Sequence, residues 1–308
     1  RVHQARQQLF LPTGVLWMAR EADPLTLATA STLSNVGVRF EQLDRAELDH
    51  RYPQISFGPV TWALYEPDGG TLLARRAVQC LVREAEAAGV QYRQAAVLPP
   101  PNGGTDLAEA LTTNGESFRA REYIFACGAW LPRLFPELLG EVIQATRQEV
   151  CFFGVPPGDA RFTVPAIPPW IDFHSEFYGV PDIEHRGFKV ALHRHGAPID
   201  PDTDDRQVTS SSLSLIREML AERFPALKAA PLIESRVCQY ENTRTGNFLV
   251  DRHPGLENVW LVGGGSGHGF KHGPAMGEFV AGLLTGVQSP EPRFLLAPAN
   301  IEQQRLIL

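Results

Sequence analysis

Residues 259–277 read VWLVGGGSGHGFKHGPAMG, and their reading decides how the rest of the chain is organised. Val259, Trp260, Leu261 and Val262 form a short apolar run suited to a buried strand. Six glycines then fall within the eleven residues Gly263 to Gly273. Beyond Pro274, apolar residues recur at helical spacing from Ala275 to Leu284. Strand, glycine-rich turn and helix is the layout that brings backbone N–H groups and a helix N-terminus up to an anionic or polar ligand. Glycine suits such a turn because it allows positive φ and leaves room for a ligand at the backbone. A P-loop requires G-x-x-x-x-G-K-[ST]. Gly264 to Gly269 supplies the first six positions, but Phe270 stands where the lysine belongs and His272 follows Lys271. A purely structural turn accounts for the glycines, yet it does not require the cation Lys271 at its lip.

Working outward, the chain has 308 residues, 44% hydrophobic and 20% charged, with a net charge of −7. That composition predicts a globular protein of about two domains. The acidic balance disfavours nucleic acid or an anionic membrane as main partner. No apolar run approaches the ~18 residues a membrane span needs. Cys80, Cys127, Cys151 and Cys238 lie far apart without metal spacing, so neither a disulfide framework nor a metal site is indicated. Each alone reads as a small buried hydrophobe. The N-terminal RVHQARQQLF has neither the apolar core nor the cleavage pattern of a signal peptide, and a cytoplasmic location is expected. Arg1 in place of methionine gives the expectation that the chain starts inside a larger protein or is processed. No G-x-G-x-x-G follows an early strand.

Along the chain, Gln8 to Ala19 holds two β-rich runs around Pro12-Thr13-Gly14, a hairpin-like signal. Helices are expected over 21–36 from Asp23-Pro24, from Asp44 to before Pro53, and over 73–88 with Leu73, Ala77, Leu81 and Ala85 on one face. Strands are expected over 61–65 and 90–97, the latter followed by a loop from Pro99 to Gly104 that includes Asn102. Asn114-Gly115 predicts a hairpin with a type I′ turn between 107–112 and 117–121. Tyr123 to Ala126 reads as a short buried strand running into Cys127-Gly128-Ala129-Trp130 and a helix to about Leu139. From 142 to 195, aromatic and β-branched runs predict an antiparallel sheet. A helix over 210–226 and strands over 234–240 and 248–251 complete the chain up to the glycine tract.

Upstream of that tract the order RVCQY-x-N-T, FLVDRHP, NVWLVGGGSGHGFK is specific. It resembles the C-terminal block of the sarcosine oxidase family, within the wider D-amino-acid oxidase group of flavoenzymes. The resemblance implies FAD as cofactor, attached covalently through Cys238. A thiolate beside the flavin ring can add to an electron-poor methyl position, and the thioether then tethers the cofactor. It implies FAD contacts at Val97, Gly128 and Trp130 for the adenosine part, and at Gly265, Gly267, His268, Gly269, Phe270 and Lys271 for the flavin. Without the resemblance, Val97 is a core valine and Trp130 a packing residue of an ordinary βα turn. Tyr240 lies two residues beyond Cys238, hence on the same strand face; the resemblance sets it beside the substrate carboxylate, which Lys271 would bind. A family arginine that shares that carboxylate belongs to an N-terminal part for which no counterpart is found, and Arg1 cannot be assigned to it.

Lys189 lies in GFKVALH, within an otherwise apolar strand, and lysine is rarely buried without a reason. An exposed edge position is the bland alternative. His193 is four residues on, on the same face. By resemblance, Lys189 stabilises the charge developed on dioxygen, His193 stands near the substrate amine and Tyr178 lines the substrate pocket.

The expected class is mixed α/β: a Rossmann-like FAD-binding domain (60–140 and 235–308), lacking its first βαβ unit, interleaved with an antiparallel-sheet substrate domain (1–59 and 141–234). The implied activity is oxidation of N-alkyl α-amino acids: hydride passes from the α-carbon to flavin, an imine forms, and dioxygen becomes hydrogen peroxide. The expected partners are a small amino acid and dioxygen. A dehydrogenase that passes electrons to a quinone or carrier protein, and an inactive fragment or binding subunit, remain alternatives. The sequence leaves the oligomeric state open.

Overall fold

The structure, a computed structural model, describes residues 7–21, 23–101 and 103–296; Arg1 and Asn102 lie outside these. The first elements are β1 (Phe10–Leu11), β2 (Val15–Ala19), α1 (Pro24–Asn35), β3 (Glu41–Asp44), α2 (Arg45–Arg51), β4 (Trp62–Glu66), β5 (Thr71–Leu72) and α3 (Ala74–Ala87). Asp23 caps α1 by accepting from the amides of Leu25 and Thr26, with Pro24 at the first helical position. α2 starts from a capping box: Asp44 accepts from the Glu47 amide, and the Glu47 carboxylate accepts from the Asp44 amide. α3 has a partly different inner face from the one expected. Leu81 is 64% exposed, whereas Cys80 is buried. Arg76, one turn from Cys80, pairs with Glu184 at 2.6 Å and donates to the Gln8 carbonyl along the same side, while Leu73, Ala77 and Ala85 of the expected face are half-buried.

Then follow β6 (Ala110–Leu111), β7 (Ser117–Phe118), β8 (Tyr123–Phe125), α4 (Leu131–Leu134), α5 (Pro136–Leu139) and β9 (Ile143–Phe153). The last are β10 (Trp170–Asp172), β11 (Phe177–Val180), β12 (Phe188–Leu192), α6 (Ser210–Arg223), β13 (Leu232–Thr243), β14 (Leu249–His253), β15 (Leu256–Gly263) and α7 (Gly273–Leu284). The strand expected over 90–97 is not formed. Val97 alone bridges Thr112, and with Val90 and Tyr92 each 57% exposed nothing packs on the run to hold it in a ladder. The β6–β7 hairpin is present, but its turn is not type I′. That turn needs positive φ at both central residues, and here Gly115 has φ +86° while Asn114 does not have positive φ.

The chain divides into two compact units, Arg1–Arg83, Gln148–Gly196 and Asp205–Cys238 against Glu84–Arg147, Ala197–Asp204 and Gln239–Leu308. The partition falls within β9 and within β13.

In the first unit, the strand order is β13-β9-β12-β11-β10-β2-β4-β3. Neighbours from β9 to β10 run antiparallel, as expected, and β10 runs parallel to β2. β1 and β2 do not form the expected hairpin: β1 pairs with β5, and β2 with β4 and β10. Pro12, between the two runs, lacks the amide a ladder needs. One sheet face carries Leu16, Met18, Cys151, Phe153, Trp170, Phe188 and Val190 into a core shared with Ile216, Leu220 and Phe224. Asp172 and Arg223 are buried in this unit as an ion pair at 2.7 Å, and Arg223 also donates to the carbonyls of Ser56 and Phe57.

In the second unit, β15 lies between β14, antiparallel, and β8, parallel. Alternation along β15 sends Val259 and Leu261 into a cluster with Phe125, Leu131 and Phe135, and Trp260 into another with Val280 and Leu283 of α7. The parallel pair, each strand running into a glycine turn and helix, is the α/β part of the mixed fold. Among the described residues, no helix is long and apolar enough to cross a membrane.

Candidate functional site

In the second unit, β15 ends at Gly263 and the chain turns sharply, with φ +72° at Gly264, +45° at Ser266 and +83° at Gly267. Two of these glycines are required by internal contacts. A Cβ on Gly264 would lie 2.6 Å from Thr243 Cγ2 and 2.9 Å from the Asn247 carbonyl oxygen. A Cβ on Gly267 would lie 2.2 Å from Tyr240 Cε2, so the tyrosine ring rests on the bare backbone there. A short 3-10 turn over Gly269–His272 leads into α7, whose N-terminus has no side-chain cap. At Gly273, a Cβ would meet nothing within 4 Å. The Gly273 amide donates to the Phe270 carbonyl and Pro274 has no N–H, so the start of α7 offers a ligand its helix dipole rather than a row of free amides. Phe270 and Lys271 are exposed. Phe248 holds the tract by edge contacts, with ring centroids 5.6 Å from His268 and 5.5 Å from His272. Burial and the neighbouring Lys271 charge push the His272 imidazole below its ordinary pKa, so no second cation is added at the helix N-terminus at neutral pH.

A residue that the sequence reading passed over lies beneath this turn. Glu241 Oε1 accepts from the Gly265 amide at 3.2 Å, while Oε2 is buried and has no hydrogen-bond partner among the described residues. Burial raises its carboxyl above the ordinary range, and the Gly264 and Gly265 amides only partly offset this. Glu241 in turn helps to raise the Cys127 thiol, on the turn after β8, where burial is the larger cause. The sequence carried little signal for it, since Glu241 lies in the mixed run RVCQYENT and its neighbours depend on topology.

The residues expected around FAD's adenosine part are also in this unit. Val97 is half-buried against the second core, and Gly128 has φ +56° with open space where a Cβ would be. Trp130 is 41% exposed and donates its indole N–H to Asp202 at 2.7 Å.

In the first unit, the sheet face opposite the core brings together three expected residues. Register pairs Tyr178 with Ala191 and Val180 with Lys189, so Tyr178, Lys189 and His193 share a face. Lys189 Nζ lies 4.9 Å from the Tyr178 ring centroid, within cation–π range. His193 stands edge-on to Tyr178 at 6.3 Å and to Phe173 at 6.0 Å. Phe173 continues to Trp17 at 5.6 Å, whose buried indole nitrogen has no partner among the described residues. Lys189 is half-buried, between the buried Phe188 and Val190 that point the other way. Cys238, on β13, is exposed, whereas Cys80 and Cys151 are buried; the bland reading of a buried hydrophobe fits the latter two and not Cys238. Tyr240, on the same strand but in the second unit, keeps its ring on the glycine turn.

An uncapped helix start behind a glycine turn, with open space where a Cβ on Gly273 would be, suits an anionic or acceptor-rich ligand, and the Glu241 carboxyl adds a donor beneath it when protonated. The comparisons with known proteins agree with that chemistry. The model of the FAD dependent oxidoreductase family matches residues 3–283, and the chain belongs to this family. It is 28% identical over 289 residues to the monomeric sarcosine oxidase of Bacillus sp. (strain NS-129), covering 92% of this chain and 74% of the relative. It is 26% identical over 304 residues to the N-methyl-L-tryptophan oxidase of Citrobacter koseri, covering 96% and 77%. Among solved structures, a thermally stable mutant of fructosyl peptide oxidase superposes with a TM-score of 0.83 at 21% identity, covering 96% of this chain and 77% of that one. The protein is therefore an FAD-dependent oxidoreductase, with the mixed α/β fold of its family.

Proposed function

We propose that this protein oxidises N-alkyl α-amino acids at the carbon–nitrogen bond, with dioxygen as electron acceptor. The observation that carries the reading is the Tyr178–Lys189–His193 group on the half-exposed sheet face, a cation and an imidazole set around one phenol ring. The sarcosine and N-methyl-tryptophan oxidases among its relatives support the substrate class. When bound, FAD supplies the acceptor for a hydride equivalent from the substrate α-carbon and passes the electrons to dioxygen, giving hydrogen peroxide. Gly265, Gly267, His268, Gly269, Phe270 and Lys271 would hold its flavin end, Val97, Gly128 and Trp130 its adenosine end, and Cys238 would bond to it.

The chain's own groups then have distinct tasks. Lys271 would pair with the substrate carboxylate, with Tyr240 bordering it. His193 would orient the substrate amine, and Tyr178 would wall the pocket. Lys189 would supply a fixed positive charge where dioxygen gains electrons, an effect strongest where water is excluded. The substrate leaves as an imine, which water hydrolyses. Loss of hydride needs the amine lone pair free, so turnover rises with pH through the pKa of the bound amine. The test has two parts. The purified protein is scanned for flavin absorbance before and after acid precipitation; colour that stays with the pellet supports the bond at Cys238. N-methyl amino acids are then assayed for peroxide and for dye reduction. Peroxide release supports the proposal, dye reduction without peroxide indicates the dehydrogenase, and a folded, colourless protein defeats both.

A further inference from the structure

The group that the proposed chemistry leaves unused is the Glu241 carboxyl, and its surroundings give it a task. It lies flat against the end of β15: a Cβ on Gly263 would be 3.0 Å from Oε2, and a Cβ on Gly265 would be 3.2 Å from Oε1. Leu131 and Ile143 bring apolar carbon to 2.8 Å and 3.7 Å from that same Gly263 Cβ position. Oε1 accepts from the Gly265 amide, and Oε2 has no partner among the described residues. Glu241 as a whole is half-buried, but its Oε2 is enclosed, and a charged oxygen enclosed without a partner is costly. A carboxylic acid there keeps an acceptor on the amide and offers one O–H donor. The donor sits at the carboxyl end of the parallel β8–β15 pair, beside both turns that follow these strands, which is where open α/β sheets take their ligands.

We propose that Glu241 is a positioning residue for the cofactor: a neutral carboxylic acid whose Oε2–H donates a hydrogen bond to an oxygen of bound FAD, while Oε1 stays on the glycine amides. This rests on FAD binding at the glycine turn. FAD is rich in acceptor oxygens and its diphosphate is anionic, so a neutral donor serves where a carboxylate would repel. The ionisable group known to face Glu241 from the neighbouring turn is the Cys127 thiol, itself held neutral by burial. His268 and Lys271 stand further along the glycine tract.

The test uses protein made under riboflavin limitation in a Cys238→Ser background, so that uptake stays reversible. FAD affinity is read from quenching of flavin fluorescence across pH, for this background and for added Glu241→Gln and Glu241→Leu. Glutamine keeps the acceptor and a donor in nearly the same shape. Glu241→Gln is expected to match the background at low pH and to stay level as pH rises, while the background loses up to tenfold per pH unit above the pKa of the acid. Glu241→Leu is expected to bind roughly tenfold more weakly at low pH, the loss of one hydrogen bond. An infrared band of a protonated carboxyl, shifted on FAD uptake and absent in Glu241→Gln, is the second readout. Binding by Glu241→Gln that falls with pH in parallel with the background, or by Glu241→Leu that equals it, overturns the inference while leaving FAD binding intact. A background protein that takes up no FAD overturns both.

Discussion

Replacing Gly267 with alanine puts a methyl group where the Tyr240 ring lies. The new Cβ would fall 2.2, 2.5 and 2.6 Å from Cε2, Cδ2 and Cζ of that ring, against ~3.5–4.0 Å for ordinary carbon contact. The backbone adds its own cost, because Gly267 has φ +83° and an L-residue held there loses about 1–2 kcal/mol. Forcing the methyl into the occupied space adds about 1–3 kcal/mol. Together these give a loss of about 2–5 kcal/mol, toward the lower end if the ring swings aside. For a protein of this size that corresponds to a fall in Tm of roughly 4–20 °C. A double-mutant cycle separates the two causes. With Tyr240→Ala already in place the obstacle is gone, so Gly267→Ala should then cost only the backbone part. The expected coupling is about 1–3 kcal/mol, in the rescuing direction. Denaturant unfolding of the four proteins measures it. Additivity to within ~0.5 kcal/mol would mean that the Tyr240 ring does not rest on Gly267, and the placement of that tyrosine beside the tract would have to be given up.

Three further expectations are simpler. Lys189→Met should cut oxygen uptake roughly 10²–10³-fold, as loss of one well-placed electrostatic group does, and leave dye-linked turnover far less changed; equal losses in the two assays would remove Lys189 from the oxygen step. Asp172→Ala strands the buried Arg223 guanidinium, whose pKa burial already lowers, and should cost about 3–5 kcal/mol by urea unfolding; a loss below ~1 kcal/mol would mean that the pair is wetted. The Glu241 carboxyl, raised by burial, makes the folded state hold its proton when the unfolded chain has released it, so this group's contribution falls as pH rises from the unfolded value, ~4.3, through the folded one. Cofactor-free Glu241→Gln should therefore gain in Tm over wild type as pH rises above the ordinary carboxyl range, and a lead that does not change with pH would deny the buried acid.

How much of this was legible in the sequence depends on how local each feature is. The caps of α1 and α2 are written in three or four consecutive residues, and both helices start where Asp23-Pro24 and Asp44 place them. Strand parity is equally local, which is why Lys189 and His193 could be set on one face from spacing alone. Pairing is not local. The runs around Pro12 look like a hairpin, yet their partners are β5, β4 and β10. The inward side of α3 is set by what it packs against, so Cys80 is buried and Leu81 is not, a difference that apolar periodicity does not register. The run 90–96 carries strand-forming residues, but a strand exists only where another lies beside it.

The glycine tract illustrates the same limit from within a single motif. Six glycines invite the inference that all of them clear space for a ligand. Gly264 and Gly267 are instead consumed by the protein itself, one by the backbone of residues 247–249 and the other by a tyrosine ring. What faces outward for a ligand includes the open side of Gly273 at the uncapped start of α7 and, from below, the one carboxyl oxygen of Glu241 that has no partner among the described residues. A motif match counts glycines alike, whereas the contacts divide them into those that build the cradle and those that face its contents. The glutamate carries no motif at all. Its place was fixed by the pairing of β15 with β8 and by the turn that folds back onto β13, so it was visible only after the topology was known.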